Sequence, residues 1–509
     1  MATAILATVG LATNAAASPL FEATGGLFGT SGLNARFTGS DSSAAYFNPG
    51  NLSRTSNGIN VGFFILNESI GVQLGARDGA NYDVPNYSGL SFSSGEIFRG
   101  TLPLPTESLY RGCDPPRGNC TLSPRPRQGA GSSGKTRAYA SVGLVNEVVE
   151  DYLSVGVYAL LPLGQFTTTD AFFVDEREQY FSNSLHPEMY GDRLTAPSIS
   201  IGVSSNPIEQ LSLGVAFTVA LINHAGAGAY VPDPDNMQDG LLLKAAVGVV
   251  AKVAPHFAIN YRPIPNLQIS GVVHSPSRFD IGLGFGNTLS DGNEQQADRT
   301  MVHDYTPWNF ALGAEYVHDM GRFELTAVGG LTLGLWSNYV NRQNENPGGR
   351  YAWSNTVTPS IGVRFGEKET WTVGADLNYV PTPAPEQTGR TNYVDSSKVT
   401  AGLLADYRFT AGSLNLGVGA NFQAHFHSTR KHTKIVPDTG AAIRDPGSPN
   451  FGANFDPQLV IDEIPDGILD RNGALYEPGR GLQTNNPGFP SYSHGGALVG
   501  GSIHLSIYY

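Results

Sequence analysis

The sequence predicts an all-β chain: an antiparallel transmembrane β-barrel of about 14 strands, closed by an N-terminal hatch in its lumen. Three observations carry this. Short turns and long polar loops alternate along the chain. The segments between them show a period-two pattern over about 12 to 16 residues, longer than the 5–6 usual in globular proteins. Residues 18–57, ahead of the first such segment, do not alternate at all.

The N-terminus comes first in order. Residues 2–17 are small and apolar and end Asn14-Ala15-Ala16-Ala17-Ser18-Pro19. They read as the apolar region and cleavage site of an export signal, cut near Ala17, although the usual basic region does not precede them. Residues 18–57 are rich in Gly, Ser, Ala and Asn and contain Asn48-Pro49-Gly50-Asn51. A barrel of this size leaks unless it is filled, which favours a plug over a segment hanging in the periplasm.

From residue 58 to 509 the chain reads as barrel. Predicted strands cover 59–75, 136–149, 152–168, 194–205, 209–223, 241–262, 266–286, 303–317, 321–338, 351–365, 369–380, 397–409, 412–428 and 494–509. The last is the clearest: Val499, Gly501, Ile503, Leu505 and Ile507 oppose Gly500, Ser502, His504 and Ser506. In 398–409, Val399, Ala401, Leu403, Ala405 and Tyr407 oppose Lys398, Thr400, Gly402 and Asp406. A soluble sandwich also alternates. Here, however, the polar faces carry Gly, Asn, Thr and charge, as a wet or plugged lumen requires. Tyr379, Tyr407 and Phe409 fall toward segment ends, where interfacial aromatics belong. Pro255 and Pro276 interrupt two overlong segments and predict bulges or bends.

The connections have two kinds. Short turns fall near 149–151, 206–208, 263–266, 318–321, 366–368 and 410–412. Long loops fall near 77–135, 169–193, 224–239, 287–302, 339–349, 381–396 and 429–493. Outer-membrane barrels sort their connections this way, with short turns on the periplasmic side. An even strand number puts both barrel ends there.

Composition bounds the rest. The 509 residues include 62 Gly and only 15% charged residues, and the net charge of −13 argues against nucleic acid as a partner. No apolar run is long enough for a spanning helix. The two cysteines, Cys113 and Cys120, lie close together in the first long loop. In an exported chain they read as a disulfide closing a small loop, with two free thiols as the alternative.

Several motifs in order resemble the FadL-type outer-membrane transporters of long-chain fatty acids and aromatic hydrocarbons. Gly39-Ser40-Asp41-Ser42-Ser43-Ala44-Ala45-Tyr46-Phe47-Asn48-Pro49-Gly50 looks like that family's hatch segment, with Gly50 where the family prefers Ala. Leu153-Ser154-Val155-Gly156-Val157-Tyr158, then Leu161-Pro162-Leu163-Gly164, and Leu211-Ser212-Leu213-Gly214-Val215 follow in register. Leu335-Trp336-Ser337-Asn338-Tyr339 and Pro381-Thr382-Pro383-Ala384-Pro385 complete the series. The first long loop is longer than the family's.

The resemblance implies a passive carrier of hydrophobic small molecules in the bacterial outer membrane, monomeric, without cofactor, in contact with membrane lipid. It implies lateral exit through a kink in the third strand, which maps onto Leu161, Pro162, Leu163 and Gly164. The hatch residues Asn48, Pro49 and Gly50 would pack against that gap. A strand end at a Pro-Gly turn is the plainer reading of Leu161–Gly164, and an ordinary Asn-Pro turn that of Asn48–Gly50.

Other residues invite a role. Ligand capture could begin on Phe172 and Phe173, or on Leu241 and Leu242, all of which could equally be loop packing. A carboxylate ligand would want a cation, and Arg262, Arg364 and Arg408 sit within strands with nothing to choose among them. His425, His427 and His432 share a polar face, which suits rim solvation better than a metal. Asp462, Asp466 and Asp470 are spaced like a calcium loop, but Ile464 and Gly473 stand where ligands belong. Two alternatives compete with the carrier. An outer-membrane lipid-modifying enzyme would need a Ser beside a His, and only Ser428 next to His427 offers one, on opposite faces. A general porin would have no use for residues 18–57.

Overall fold

Most strands pair antiparallel with their neighbours in sequence, so one sheet can grow around and meet itself. A computed structural model describes residues 18–39, 41–74, 135–164, 189–231, 242–289, 294–341, 344, 346–388, 393–433 and 491–509. Its strands are β1 (Gly58–Leu74), β2 (Lys135–Val149), β3 (Leu153–Leu163), β4 (Ser198–Ile208), β5 (Leu211–Val231), β6 (Leu242–Ile264), β7 (Leu267–His274) and β8 (Ser277–Leu289). They continue with β9 (Glu294–Thr306), β10 (Asn309–Met320), β11 (Phe323–Gly334), β12 (Thr356–Glu367), β13 (Trp371–Val380), β14 (Lys398–Ala411), β15 (Leu414–Thr433) and β16 (Ser491–Tyr508). Fourteen of these close into an antiparallel barrel. The seam joins β1 to β16, from Gly58 opposite Tyr508 to Leu74 opposite Tyr492.

The period-two pattern decides which side faces what. On β14, Val399, Leu403 and Tyr407 point outward, while Thr400, Leu404 and Asp406 are buried inward. Leu312, Leu403 and Ile503 are 64%, 61% and 65% exposed. A continuous belt of such side chains is untenable in water and favourable against lipid tails. The inner face carries Ser141, Ser200, Thr218, Asn260 and Ser270, all buried.

Two strands lie outside the barrel, and here the structure corrects the sequence reading. The predicted strand 266–286 breaks at Pro276 into β7 and β8, because Pro276 has no N–H for a ladder; the amide of Ser275 turns instead to the Pro255 carbonyl at 3.2 Å. β8 and β9 form a hairpin that leaves the barrel between β7 and β10. β8 then pairs parallel with the far end of β5, Ala227 opposite Phe285 through Val231 opposite Leu289. The predicted loops 224–239 and 287–302 are therefore partly strand. The predicted strand 303–317 is split at Pro307: 303–306 close β9, and the barrel strand begins at Asn309.

β3 also ends earlier than predicted, at Leu163. Its ladder with β2 runs to Leu163 opposite Ala138, but its ladder with β4 stops at Leu160 opposite Ser198. Among the described residues, Leu161–Leu163 thus have a strand neighbour on one side only. Gly164 stands just beyond, at φ 111°, a conformation that suits glycine.

Residues 18–54 lie inside the barrel. They form α1 (Pro19–Thr24), α2 (Ala35–Thr38), α3 (Ala44–Phe47) and a 3-10 helix, Pro49–Arg54. Leu20, Phe21, Phe28, Tyr46 and Leu52 are fully buried there.

Candidate functional site

The hatch takes its shape from local chemistry. Ser18 caps α1, its hydroxyl accepting from the Phe21 amide at 3.4 Å, and Pro19 opens the helix where no N–H is needed. The Ser18 hydroxyl also meets Ser198 at 2.6 Å, tying α1 to β4. Glu22 of α1 forms an ion pair with Arg36 of α2, and the Tyr46 hydroxyl donates to the same carboxylate at 2.7 Å. Burial works to raise the Glu22 pKa, but Arg36 and His274 outweigh it and hold the carboxyl well below the ordinary range.

Glycines on the inner wall make the seats. Phe37 lies over Gly313 and Gly330, Leu52 over Gly156 and Gly202, and the Pro49–Gly50 peptide over Gly214. A Cβ at any of these would overlap the hatch. Polar keys hold the rest. Arg364 and Asp376 pair at 2.7 Å; Arg364 Nε donates to the Thr30 carbonyl at 2.8 Å, and Asn34 Nδ2 donates to Asp376 at 2.6 Å. The Asn48 and Asn260 amides meet at 3.0 Å. A plug seated on backbone and fixed by buried polar contacts does not leave the lumen cheaply.

Between hatch and wall lies a cavity of about 180 Å³. Glu22, Arg36 and Phe37 bound it from the hatch, and Thr332, Thr356, Thr358, Ser360 and Thr400 from strands β11, β12 and β14. Lys398 and His425 complete that wall, with Tyr305 and Trp336 also lining the space. Tyr305 and Trp336 belong to a larger aromatic cluster with Tyr339, Trp353 and Tyr393, in which Tyr339 and Trp353 stack at 3.8 Å.

Neither a protein-family profile nor a curated protein matches the sequence. Among solved structures, a FadL homologue of Pseudomonas aeruginosa is similar over 92% of this chain and 94% of that one, with a TM-score of 0.51 at 14% identity. The chain has the FadL-type fold. The toluene transporters TodX of P. putida and TbuX of Ralstonia pickettii are similar at 10% identity each. Their TM-scores are 0.45 and 0.41; they cover 98% and 97% of this chain, which spans 99% of each of theirs.

Within this FadL-type barrel the predicted residues scatter. Asn48, Pro49 and Gly50 sit against β4, β5 and β6: the Ser204 hydroxyl donates to the Gly50 carbonyl at 3.0 Å, and Gly50 rests on Gly214. None of these contacts is to Leu161–Gly164, against which the sequence reading had them pack. Gly214, lacking a Cβ, lets the backbone down onto β5 instead. Leu242 is the first residue of β6. Phe172, Phe173, Leu241, Cys113, Cys120, Asp462, Asp466 and Asp470 lie outside the described residues.

The arginines do not supply the cation. Arg364 is spent on Asp376 and the hatch, Arg262 donates to Gln268 at 3.1 Å, and Arg408 lies over Tyr508 at 4.9 Å. The strand cation at the cavity is Lys398, which the sequence reading placed on a polar face without singling out. The histidines also part company. His425 lines the cavity, His427 lies 3.5 Å from the Ser396 hydroxyl, and His432 meets His494 at 3.2 Å. Because His432 Nδ1 accepts from the Gln387 amide at 3.1 Å, its proton is on Nε2 and that contact is a hydrogen bond. Among the described residues no three groups are placed to hold a metal ion.

Proposed function

We propose that this chain is a passive outer-membrane carrier of hydrophobic small molecules, and that its cargo leaves sideways through the wall at the end of β3. The observation that carries the reading is the one-sided pairing of Leu161–Leu163. A short turn, Gly191–Leu194, precedes β4, and its Leu194 is fully buried beside Leu160, Phe21 and Tyr158. The Tyr139 hydroxyl donates to the Leu194 carbonyl at 3.0 Å. Apolar contacts and one hydrogen bond therefore stand where ladder bonds would be, and both can reform.

The physical case is one of solvation. Each methylene of an acyl chain favours hydrocarbon over water by about 0.8 kcal/mol, so a route into the bilayer suits apolar cargo better than a watery channel. The firmly seated hatch opposes a straight passage. The enzyme alternative gains nothing: Ser428 is exposed and donates to the Ser397 carbonyl at 2.8 Å, while His427 is buried on the other face.

The test is Gly164→Arg, which sets a guanidinium beside the unpaired end of β3. No described residue lies within 4 Å of a Cβ there, but the positive φ strains any side chain, so a Gly164→Ala control separates backbone strain from the added guanidinium. Uptake of a fluorescent fatty acid and of toluene by expressing cells should fall sharply, with heat-modifiable gel mobility unchanged. Uptake equal to the parent's would remove the lateral exit.

A further inference from the structure

The cavity between hatch and wall is a poor container for a hydrocarbon. Three charged side chains line it. Glu22 and Arg36 pair with each other, while Lys398, although Asp395 and Glu22 lie near enough to act on it, makes no direct ion pair or hydrogen bond among the described residues. Three further lining groups are at least nine-tenths buried and lack any partner. They are Thr306 Oγ1 at 7% exposure, Thr400 Oγ1 at 3% and His425 Nε2 at 4%. Asn378 Oδ1, also facing the cavity, is unpartnered too. Most buried polar atoms in folded proteins are satisfied, so four orphans around one space ask for a ligand that satisfies them. Strand pairing gathers them: Lys398 stands opposite His427 and Thr400 opposite His425 across β14 and β15.

Size and shape narrow the class. A cavity of about 150 Å³ encloses benzene, and this one measures about 180 Å³. A long acyl chain carries far more atoms than that. The rings of Tyr305 and Trp336, 6.0 Å apart and tilted by 53°, offer aromatic surface to the same space that the Lys398 ammonium and the hydroxyls line.

We infer that this cavity binds a small aromatic carboxylate of one ring, its carboxylate on Lys398, its polar edge on Thr306, Thr400 and Asn378, and its ring against Tyr305 and Trp336. The inference rests on the carrier reading above and names the cargo class. A neutral ring of the same shape would leave Lys398 and four polar atoms desolvated and unpaired, which the site penalises.

The experiment is calorimetric titration of the full-length protein in lipid nanodiscs with benzoate, 4-hydroxybenzoate, toluene and palmitate. Benzoate should bind at least about tenfold more tightly than toluene, the scale of one charge-assisted hydrogen bond. 4-Hydroxybenzoate should bind at least as tightly as benzoate. Lys398→Met should erase the preference by weakening benzoate and leaving toluene unchanged. Lys398→Gln serves the same end, and gel mobility reports whether either variant folds; should both misfold, the four ligands on the parent protein still decide. Toluene or palmitate binding as tightly as benzoate, or benzoate indifferent to loss of Lys398, would overturn the site. Benzoate binding without uptake of any solute by cells would sink the carrier reading and leave the site standing. Uptake of fatty acid or toluene with no benzoate preference would do the reverse.

Discussion

Arg364 of β12 and Asp376 of β13 form a buried ion pair at 2.7 Å inside the lumen, and the hatch consumes the donors and acceptors left over. The Thr30 and Ser31 carbonyls accept from Arg364, and Asn34 Nδ2 and the Leu33 amide donate to Asp376. The pair is thus a wall-mounted clamp on the hatch as well as a link between two strands.

Removing one partner strands the other as a buried charge, which costs about 3–5 kcal/mol. Asp376→Ala should therefore loosen the hatch more than the double change Arg364→Met with Asp376→Leu, which removes both charges together. Single-channel recording in planar bilayers reads this directly. The single variant should flicker to high conductance, and the double variant should stay closer to the closed parent. Equal conductance for the two would show that the clamp adds nothing beyond packing.

The hatch holds two carboxyls shifted in opposite directions, and this sets a pH dependence. Glu22 lies below the ordinary carboxylate range because Arg36 and His274 overcome its burial. A depressed folded pKa contributes stability above the ordinary value, lost only as pH falls through the depressed one. Asp41 is the reverse: burial pushes it up, although the Ser31 hydroxyl and the Ser43 hydroxyl and amide pull it down. Its contribution is present below the ordinary value and is lost as pH rises through the raised one. Glu22→Gln should accordingly speed hydrogen exchange of hatch amides at neutral pH, the difference persisting through mildly acid pH. Asp41→Asn can keep the contacts to the Ser31 hydroxyl and the Ser43 amide, since an amide both accepts and donates, and should slow exchange at neutral pH relative to the parent. Opposite signs in the two variants are the expected result; the same sign in both would refute the assignment.

What the sequence could reveal followed from periodicity. Period two separates Leu403 from Asp406 without any coordinates, and its failure over 18–57 marks the hatch. Pairing partners are another matter. Lys398 and Arg364 look alike in sequence, each a cation on a polar strand face. Only the register of β12 with β13, which sets Asp376 opposite Gly362, brings a carboxylate within hydrogen-bond reach of Arg364, whereas Lys398 on β14 makes no direct ion pair among the described residues. The β8–β9 hairpin was hidden for a related reason. Glu294–Thr306 is mostly polar and has no apolar alternation, and its place depends on β8, whose parallel partner on β5 is remote in sequence. The glycine seats were visible as glycines, but Gly330 belongs to Phe37 only once the hatch is inside.

The turn before β4 offers the last prediction. Tyr139 is fully buried on β2, and its hydroxyl reaches past the end of the β3–β4 ladder to the Leu194 carbonyl. Leu194 in turn packs in the cluster with Leu160 and Tyr158, beside the strand end that lacks a β4 partner. Tyr139→Phe removes the hydroxyl and keeps the ring. A lost hydrogen bond of this kind is worth about 0.5–1.5 kcal/mol, so an opening of the turn should become up to about tenfold more populated. If the turn is the moving part of a lateral exit, Tyr139→Phe should raise the initial rate of uptake of a hydrophobic dye while gel mobility stays that of the parent. Conductance to ions should not change, because the hatch keys at Arg364 and Asn260 lie elsewhere. A rise in ion conductance without faster dye uptake would instead make Tyr139 a support for the hatch, and would move the exit away from β3.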